Sequence, residues 1–238
     1  MLIVPQNWAE NLDFVRSHIA SAAAAAGRDP TQITLVAVSK AQPLAAMRAV
    51  HALGVVDFGE SYPQEALAKI EALGGETLIW HFIGQIQSNK TRVIAEHFAW
   101  VHSVDRVQIA RRLNAQRPFH APPLNVCLQV KLIDEPAKGG VSPLELSSLA
   151  EEVAGLERIR LRGLMCLPPV SDDVTEQRRW FARLRELLLE LNGKGHALDV
   201  LSMGMSGDYE AAVREGATHL RIGTAIFGAR PGDAGFKL

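Results

Sequence analysis

Lys40, two turns rich in glycine and hydroxyl groups, and Arg221 are the residues of this 238-residue chain whose types and spacing could do chemistry. Lys40 closes the run Ile33-Thr34-Leu35-Val36-Ala37-Val38-Ser39-Lys40, whose apolar content marks a strand buried on both faces, as in a parallel sheet. A primary amine at the carboxyl end of such a strand stands at the mouth of an α/β fold, where desolvation can depress its pKa; that makes it a candidate Schiff-base former. The competing reading is a lysine that snorkels to solvent, the commoner fate of an arbitrary lysine. Further along, Ser202-Met203-Gly204-Met205-Ser206-Gly207-Asp208 follows an apolar run and opens a helical pattern, while Arg221-Ile222-Gly223-Thr224 lies on the next run. Backbone amides freed by glycine, with serine and threonine hydroxyls beside them, make an anion site. Taken singly, each segment reads as a turn that caps a helix, and Arg221 reads equally as the partner of Glu215 or Asp208. Ser61 and His81 stand near two other strand ends. His81 reads first as a satisfied strand histidine, and Lys138, in a Lys-Gly-Gly loop, as solvated.

The elements that must position these residues alternate along the chain. Apolar residues at 12, 15, 19 and 22–23 predict an opening helix over 8–26, stopped by Gly27. Strands are then predicted over 33–40, 55–60, 77–84, 100–104, 124–132, 159–167, 198–203 and 219–227. Helices are predicted over 43–53, 63–73, 88–97, 107–116, 143–154, 174–191 and 208–215. Eight strands, each but the last followed by a helix, predict a (β/α)8 TIM barrel; a doubly wound open sheet fits locally but normally uses fewer strands. No repeat, low-complexity linker or shift of composition divides the chain, so a single barrel domain is expected over 1–238. In a barrel all strand carboxyl ends share one face, and phosphate is most often held after the seventh and eighth strands, where the two turns fall.

Composition narrows the function. Twenty-five Lys plus Arg against 26 Asp plus Glu, a formal charge of -1, give no global reason to expect nucleic acid or a membrane surface as partner. Cys127 and Cys166 lie inside apolar runs, which suits buried reduced thiols better than a disulfide or a metal site. The amino terminus carries no basic-then-apolar leader and no apolar run is long enough to span a bilayer, so a cytoplasmic protein is expected.

A phosphate cradle across a barrel mouth from a strand-end lysine fits a phosphorylated aldehyde, and pyridoxal 5'-phosphate has both groups. A phosphosugar lyase combines the same two features, though it generally needs further acid–base residues beside the lysine. The motifs Val-Ala-Val-Ser-Lys40, Phe58-Gly59-Glu60-Ser61-Tyr62-Pro63-Gln64-Glu65, Trp80-His81-Phe82-Ile83-Gly84-Gln85-Ile86-Gln87-Ser88-Asn89-Lys90, and residues 201–208 followed by 221–228 resemble the pyridoxal phosphate homeostasis proteins. These are single-domain relatives of alanine racemase in fold type III. The resemblance implies pyridoxal 5'-phosphate held as an aldimine on Lys40, Ser206, Gly223 and Thr224 at its phosphate, and Arg221 near its ring nitrogen. Met203, Gly204, Ser61 and His81 complete the expected cofactor-binding set. Ser61 stands where the family usually has asparagine, which is expected to weaken a hydrogen bond near the cofactor. The resemblance further implies a role in vitamin B6 supply and amino-acid pools, with hand-over to apo-enzymes that use the cofactor and no established turnover. The alternative is a weak amino-acid racemase; neither of the two tyrosines, Tyr62 and Tyr209, matches the second base that alanine racemase uses.

Overall fold

In the computed structural model, which describes residues 7–133 and 139–229, eight short strands pair in parallel in chain order. They are Thr34–Val38 (β1), Asp57–Glu60 (β2), Ile79–Phe82 (β3), Trp100–Val104 (β4), Leu124–Val130 (β5), Ile159–Cys166 (β6), Val200–Ser202 (β7) and His219–Ile222 (β8). β1 pairs with β8, with Val36 opposite Arg221, and closes the expected barrel. Around it run Trp8–Ala25 (α1), Leu44–Ala52 (α2), Pro63–Ala72 (α3), Thr91–His97 (α4), Val107–Gln116 (α5), Leu146–Ala154 (α6), Val174–Gly193 (α7), Tyr209–Arg214 (α8) and Thr224–Phe227 (α9). Lys138 lies outside the described residues.

Several predicted boundaries shift by a few residues, and two of the shifts bear on the site. β1 ends at Val38, so Lys40 lies in the loop beyond it, although the Ser39 amide still donates to the Gly59 carbonyl at 3.0 Å. The last strand stops at Ile222 rather than 227. Its tail turns at Gly223 into α9, whose Ile226 and Phe227 amides both donate to the Gly223 carbonyl at 2.9 Å. A short apolar run fits a strand or one helical turn equally well, which is why periodicity missed it.

α1 starts where the Asn7 side chain accepts from the Glu10 amide, and its stripe of Leu12, Val15, Ile19, Ala22 and Ala23 is buried. α1 packs against α8 and α9, outside the seam between β8 and β1. The main core lies between sheet and helices, around the fully buried Phe58, Phe82, Phe98, Phe181 and Phe227. Each such ring contributes about 1.5–3 kcal/mol by leaving water.

The inside of the barrel is more polar. His102 Nδ1 on β4 lies 2.7 Å from Ser202 Oγ on β7, and a bond between strands that are not neighbours must cross the interior. Alternation then places His81, Trp100, Cys127, Met165, Val200, His219 and Arg221 inside as well. Cys127, Met165 and Val200 form a small apolar cluster there with Trp100 and Leu167. Both cysteines are free and buried, as expected, and burial pushes their thiols up to about 12. Burial lowers the pKa of His81, holds His102 well below the usual imidazole range, and brings His219 down to about 3. At Gly163 the β6 and β7 backbones approach so closely that a Cβ would overlap the Val200 carbonyl.

The loop that carries Lys40 is clamped from outside the barrel. Lys69 Nζ on α3 donates to the Ser39 carbonyl at 2.7 Å and pairs with Glu60 Oε1 at 2.8 Å and Glu65 Oε1 at 2.6 Å. Ser39 Oγ donates to Glu60 Oε1 at 2.6 Å, and the Ala41 amide to Glu65 Oε1 at 2.6 Å. Ala41 has φ 59, a left-handed conformation. That conformation costs an alanine about 1–2 kcal/mol, which a hydrogen bond to a charged acceptor offsets. Burial raises the pKa of Glu60 against the pull of Lys69. The backbone on both sides of Lys40 is thus held while its own side chain points elsewhere.

Three outcomes follow from this architecture. Gly163→Ala lowers unfolding free energy by about 3 kcal/mol in urea titration, since the clash is with backbone that cannot rotate away; an unchanged midpoint would contradict the close approach. Lys69→Met leaves Glu60 and Glu65 facing each other without a cation and costs about 3–5 kcal/mol in the same titration. The buried histidines, with folded pKa values below their unfolded ones, contribute stability that is present above the unfolded value of about 6.5 and lost as pH falls below it. For His219, whose folded value is about 3, the loss runs through the window from 6.5 down to that value. Denaturation at several pH values should show the decline, and His219→Asn should remove about one proton from its slope.

Candidate functional site

Where the strands end at their carboxyl edge, the loops enclose a cavity of about 270 Å³. Val38 and Lys40 reach it from the end of β1, Ser61 from the end of β2 and Ile83 from the end of β3. Leu167 follows β6, and Met205, Ser206 and Gly207 follow β7. Arg221 on β8, with Gly223 and Thr224 after it, completes the wall. A larger hollow of about 400 Å³ lies at the opposite end of the barrel, between Ile33 and Asp57; Arg16, Thr31, Thr34 and Asp57 are its polar side chains, and among the described residues no lysine lines it. Ligands of barrel proteins bind at the carboxyl face, and that face brings a lysine amine together with hydroxyl and amide donors. Among the described residues, no group of histidines, cysteines and carboxylates could hold a metal ion.

The two turns owe their shape to local chemistry. Gly204 has φ 93, and a Cβ there would lie 2.7 Å from the Ala212 Cβ and 2.9 Å from Leu220 Cδ2. Only glycine lets the chain leave β7 at that angle so close to α8. The Gly204 carbonyl accepts from the Arg221 amide at 2.9 Å, and Asp208 Oδ1 accepts from the Met205 amide at 2.6 Å to close the turn. Ser206 Oγ accepts from the Ala225 amide at 3.2 Å, which ties this turn to the one after β8. Among the described residues, the amides of Ser206, Gly207 and Thr224 donate no hydrogen bond. They are donors left over at the cavity wall.

The arrangement brings together six of the nine residues expected from sequence: Lys40, Ser61, Ser206, Arg221, Gly223 and Thr224. Three fall elsewhere. Met203 is fully buried in the core between barrel and helices, because the residue after an inward Ser202 faces outward. Gly204 shapes the turn from behind, and Met205 takes the place at the wall. His81 is fully buried inside the barrel, with Nε2 2.8 Å from Asp57 Oδ1 and Nδ1 2.9 Å from His102 Nε2. The nine expected residues leave out Val38, Ile83, Leu167, Met205 and Gly207, which also line the cavity; the signal that could have found the first two is alternation, two residues back from Lys40 and two on from His81.

Arg221 is 4% exposed. Its Nη1 donates to Ser202 Oγ at 2.7 Å and its Nη2 to the Cys166 carbonyl at 2.9 Å, while burial lowers its pKa. Glu215, one of the two partners considered for it, is taken by Arg178 and Arg185. A guanidinium so fixed offers its remaining edge to the cavity. Amine, guanidinium and a row of hydroxyl and amide donors around one small space can hold a compact anion that also bears an electrophilic carbon.

Comparison with known proteins gives the family. Residues 6–231 match the family model described as alanine racemase, N-terminal domain. The chain is 59% identical over 222 residues to the pyridoxal phosphate homeostasis protein of Pseudomonas aeruginosa, covering 93% of this chain and 95% of that one. To the protein of the same name in Escherichia coli it is 48% identical over 225 residues, covering 93% and 96%. PipY of Synechococcus elongatus, solved with PLP bound, superposes with a TM-score of 0.84 at 38% identity and covers 93% of this chain and 100% of its own. Alanine racemase of Clostridium difficile, at 17% identity and a TM-score of 0.73, shares the fold over 98% of this chain and 59% of its own. By sequence and by fold, the chain belongs to the alanine racemase N-terminal domain family and, within it, to the pyridoxal phosphate homeostasis proteins.

Proposed function

We propose that the cavity at the carboxyl end of the barrel holds pyridoxal 5'-phosphate, and that the protein serves the intracellular supply of that cofactor. The observation that carries the reading is the convergence of Lys40, Arg221, Ser206, Gly223 and Thr224 on one space of about 270 Å³. The residues present fit the group. Ser206 Oγ, Thr224 and the unspent amides of Ser206, Gly207 and Thr224 suit a phosphate, and Lys40 supplies an amine for an aldehyde carbon. Val38, Ile83, Leu167 and Met205 provide apolar surface for a flat ring. Arg221, permanently charged at the cavity wall, would disfavour a proton on a ring nitrogen held beside it and so restrain carbanion chemistry. When bound, pyridoxal phosphate supplies an aldehyde that passes between amines; this chain's residues orient it, exclude water and offer Lys40 as the exchanging amine.

Holding is favoured over racemisation by the wall itself. Reversing a stereocentre needs a proton carrier on each face, and among the described residues lining the cavity Lys40 and Arg221 are the only basic or acidic side chains. Tyr62 and Tyr209 do not line it. Recipients of the cofactor are, on this reading, apo-enzymes that require it. No described helix is long and apolar enough to cross a membrane, and two free buried thiols suit a reducing compartment; the cytoplasm is the location we assign.

The test is spectroscopic. Protein incubated with pyridoxal phosphate and desalted should absorb in the visible range, and borohydride should fix the added mass on the peptide that contains Lys40. Lys40→Ala should be colourless, while Ser206→Ala and Thr224→Ala each weaken retention about tenfold through loss of a charge-assisted hydrogen bond. A visible band that survives in Lys40→Ala would count against the reading, and solvent deuterium incorporated at Cα of a free amino acid would favour racemisation instead.

A further inference from the structure

Arg221 is buried, charged, and hydrogen-bonded to two uncharged groups, Ser202 Oγ and the Cys166 carbonyl. Asp208 acts on it only at longer range and is engaged by the Met205 amide. What lies behind Ser202 is unusual for a barrel interior. Ser202 Oγ is 2.7 Å from His102 Nδ1, His102 Nε2 is 2.9 Å from His81 Nδ1, and His81 Nε2 is 2.8 Å from Asp57 Oδ1. Five side chains on β8, β7, β4, β3 and β2 thus form an unbroken chain from the cavity wall to the first residue of β2. Asp57 is at the opposite end of the barrel, with its side chain 19% exposed.

The two ends impose a direction on the chain. A guanidinium can only donate and a carboxylate can only accept. His81 therefore donates from Nε2 to Asp57. Being buried and neutral, it leaves Nδ1 bare to accept from His102 Nε2. His102, also neutral, leaves its own Nδ1 to accept from the Ser202 hydroxyl, whose oxygen is then oriented to accept from Arg221. Every donor points away from the cavity, so each bond polarises the next. Trp100 stacks on His81 with centroids 5.8 Å apart and planes 6° from parallel, which holds the ring against a flip. A chain with a hydroxyl pointed at Arg221, instead of its lone pair, would repel the guanidinium.

We propose that Asp57, remote from the cavity, is a positioning residue for Arg221, acting through the one-way hydrogen-bonded chain His81, His102 and Ser202. It sets the imidazole tautomers, the tautomers set the serine hydroxyl, and the hydroxyl holds the guanidinium. The consequence for cofactor binding rests on the proposed function; the chain itself does not.

Nitrogen-15 NMR of cofactor-free protein labelled at histidine and arginine tests it. His81 and His102 should each carry a proton on Nε2 and none on Nδ1, and the Arg221 side-chain hydrogens should exchange slowly. Asp57→Ala and Ser202→Ala should each speed that exchange about tenfold, whereas Asp57→Asn, which keeps an oxygen acceptor, restores most of the slowing. Ser202→Ala removes one hydroxyl without leaving a charge unpaired, so it keeps the test alive if Asp57→Ala does not fold. A proton on Nδ1 of either histidine, or exchange at Arg221 that neither substitution moves, overturns the inference. With pyridoxal phosphate added, Asp57→Ala should bind about threefold or more weakly than the parent; equal binding also overturns it. A parent protein that takes up no pyridoxal phosphate would sink the proposed function, while the histidine and arginine spectra would still decide the chain.

Discussion

The ladder between the first strand and the last is the contact on which this molecule depends. Thr34 lies opposite His219 and Val36 opposite Arg221, so residues more than 180 positions apart become neighbours. Without that pairing Lys40 and the turn at Gly223 would belong to opposite edges of an open sheet, and the cavity would have no wall. Closing so long a loop is entropically costly, and the seam is correspondingly reinforced. The Asn11 amide group donates to the Ile226 carbonyl at 3.0 Å, and Arg28 donates to the carbonyls of Val213 at 2.7 Å and Ala217 at 2.8 Å. The opening helix and the loop after it therefore latch onto the last two strand–helix units, outside the place where the barrel closes.

Burial on both faces of the sheet is divided between two kinds of core. Outside the strands, phenylalanines and aliphatic side chains fill the space under the helices. Inside, beside a small apolar cluster and Val36, histidines, a serine, an aspartate and an arginine form a polar network. Such a polar interior is stable only when its members satisfy one another, because an unpaired buried donor or acceptor costs about 1–3 kcal/mol. It also makes the interior directional, which a packing of methyl groups cannot be. A hydrogen-bonded polar interior is also a physical way to keep a charged guanidinium such as that of Arg221 at a dry wall.

The loop bearing Lys40 is governed from the other side of the sheet. Ser39 and Glu60 face the helices, Lys69 bridges them, and Glu65 holds Ala41 in a conformation that alanine avoids. Lys40 is consequently presented by a short, overdetermined segment rather than by the end of a strand as such. Among the described residues lining the cavity, Lys40 and Arg221 alone carry a basic or acidic side chain.

Much of this was legible in the sequence. The order of strands and helices, the lysine at one strand end and the two hydroxyl–glycine turns after the last two strands are local patterns, written in periodicity and in residues such as Gly204 that only one backbone shape can use. What sequence could not decide is which way each side chain faces. A strand buried on both faces is apolar throughout, so alternation gives two sets of residues without saying which set is inside: Met203 lies outside the barrel and His81 within it, neither lining the cavity, and the apolar run after Gly223 is a short helix. The partners of Arg221 were beyond reach for a related cause. Ser202 and the carbonyl of Cys166 lie 19 and 55 residues away, and they meet the guanidinium only through the register of neighbouring strands, which is set when the barrel closes.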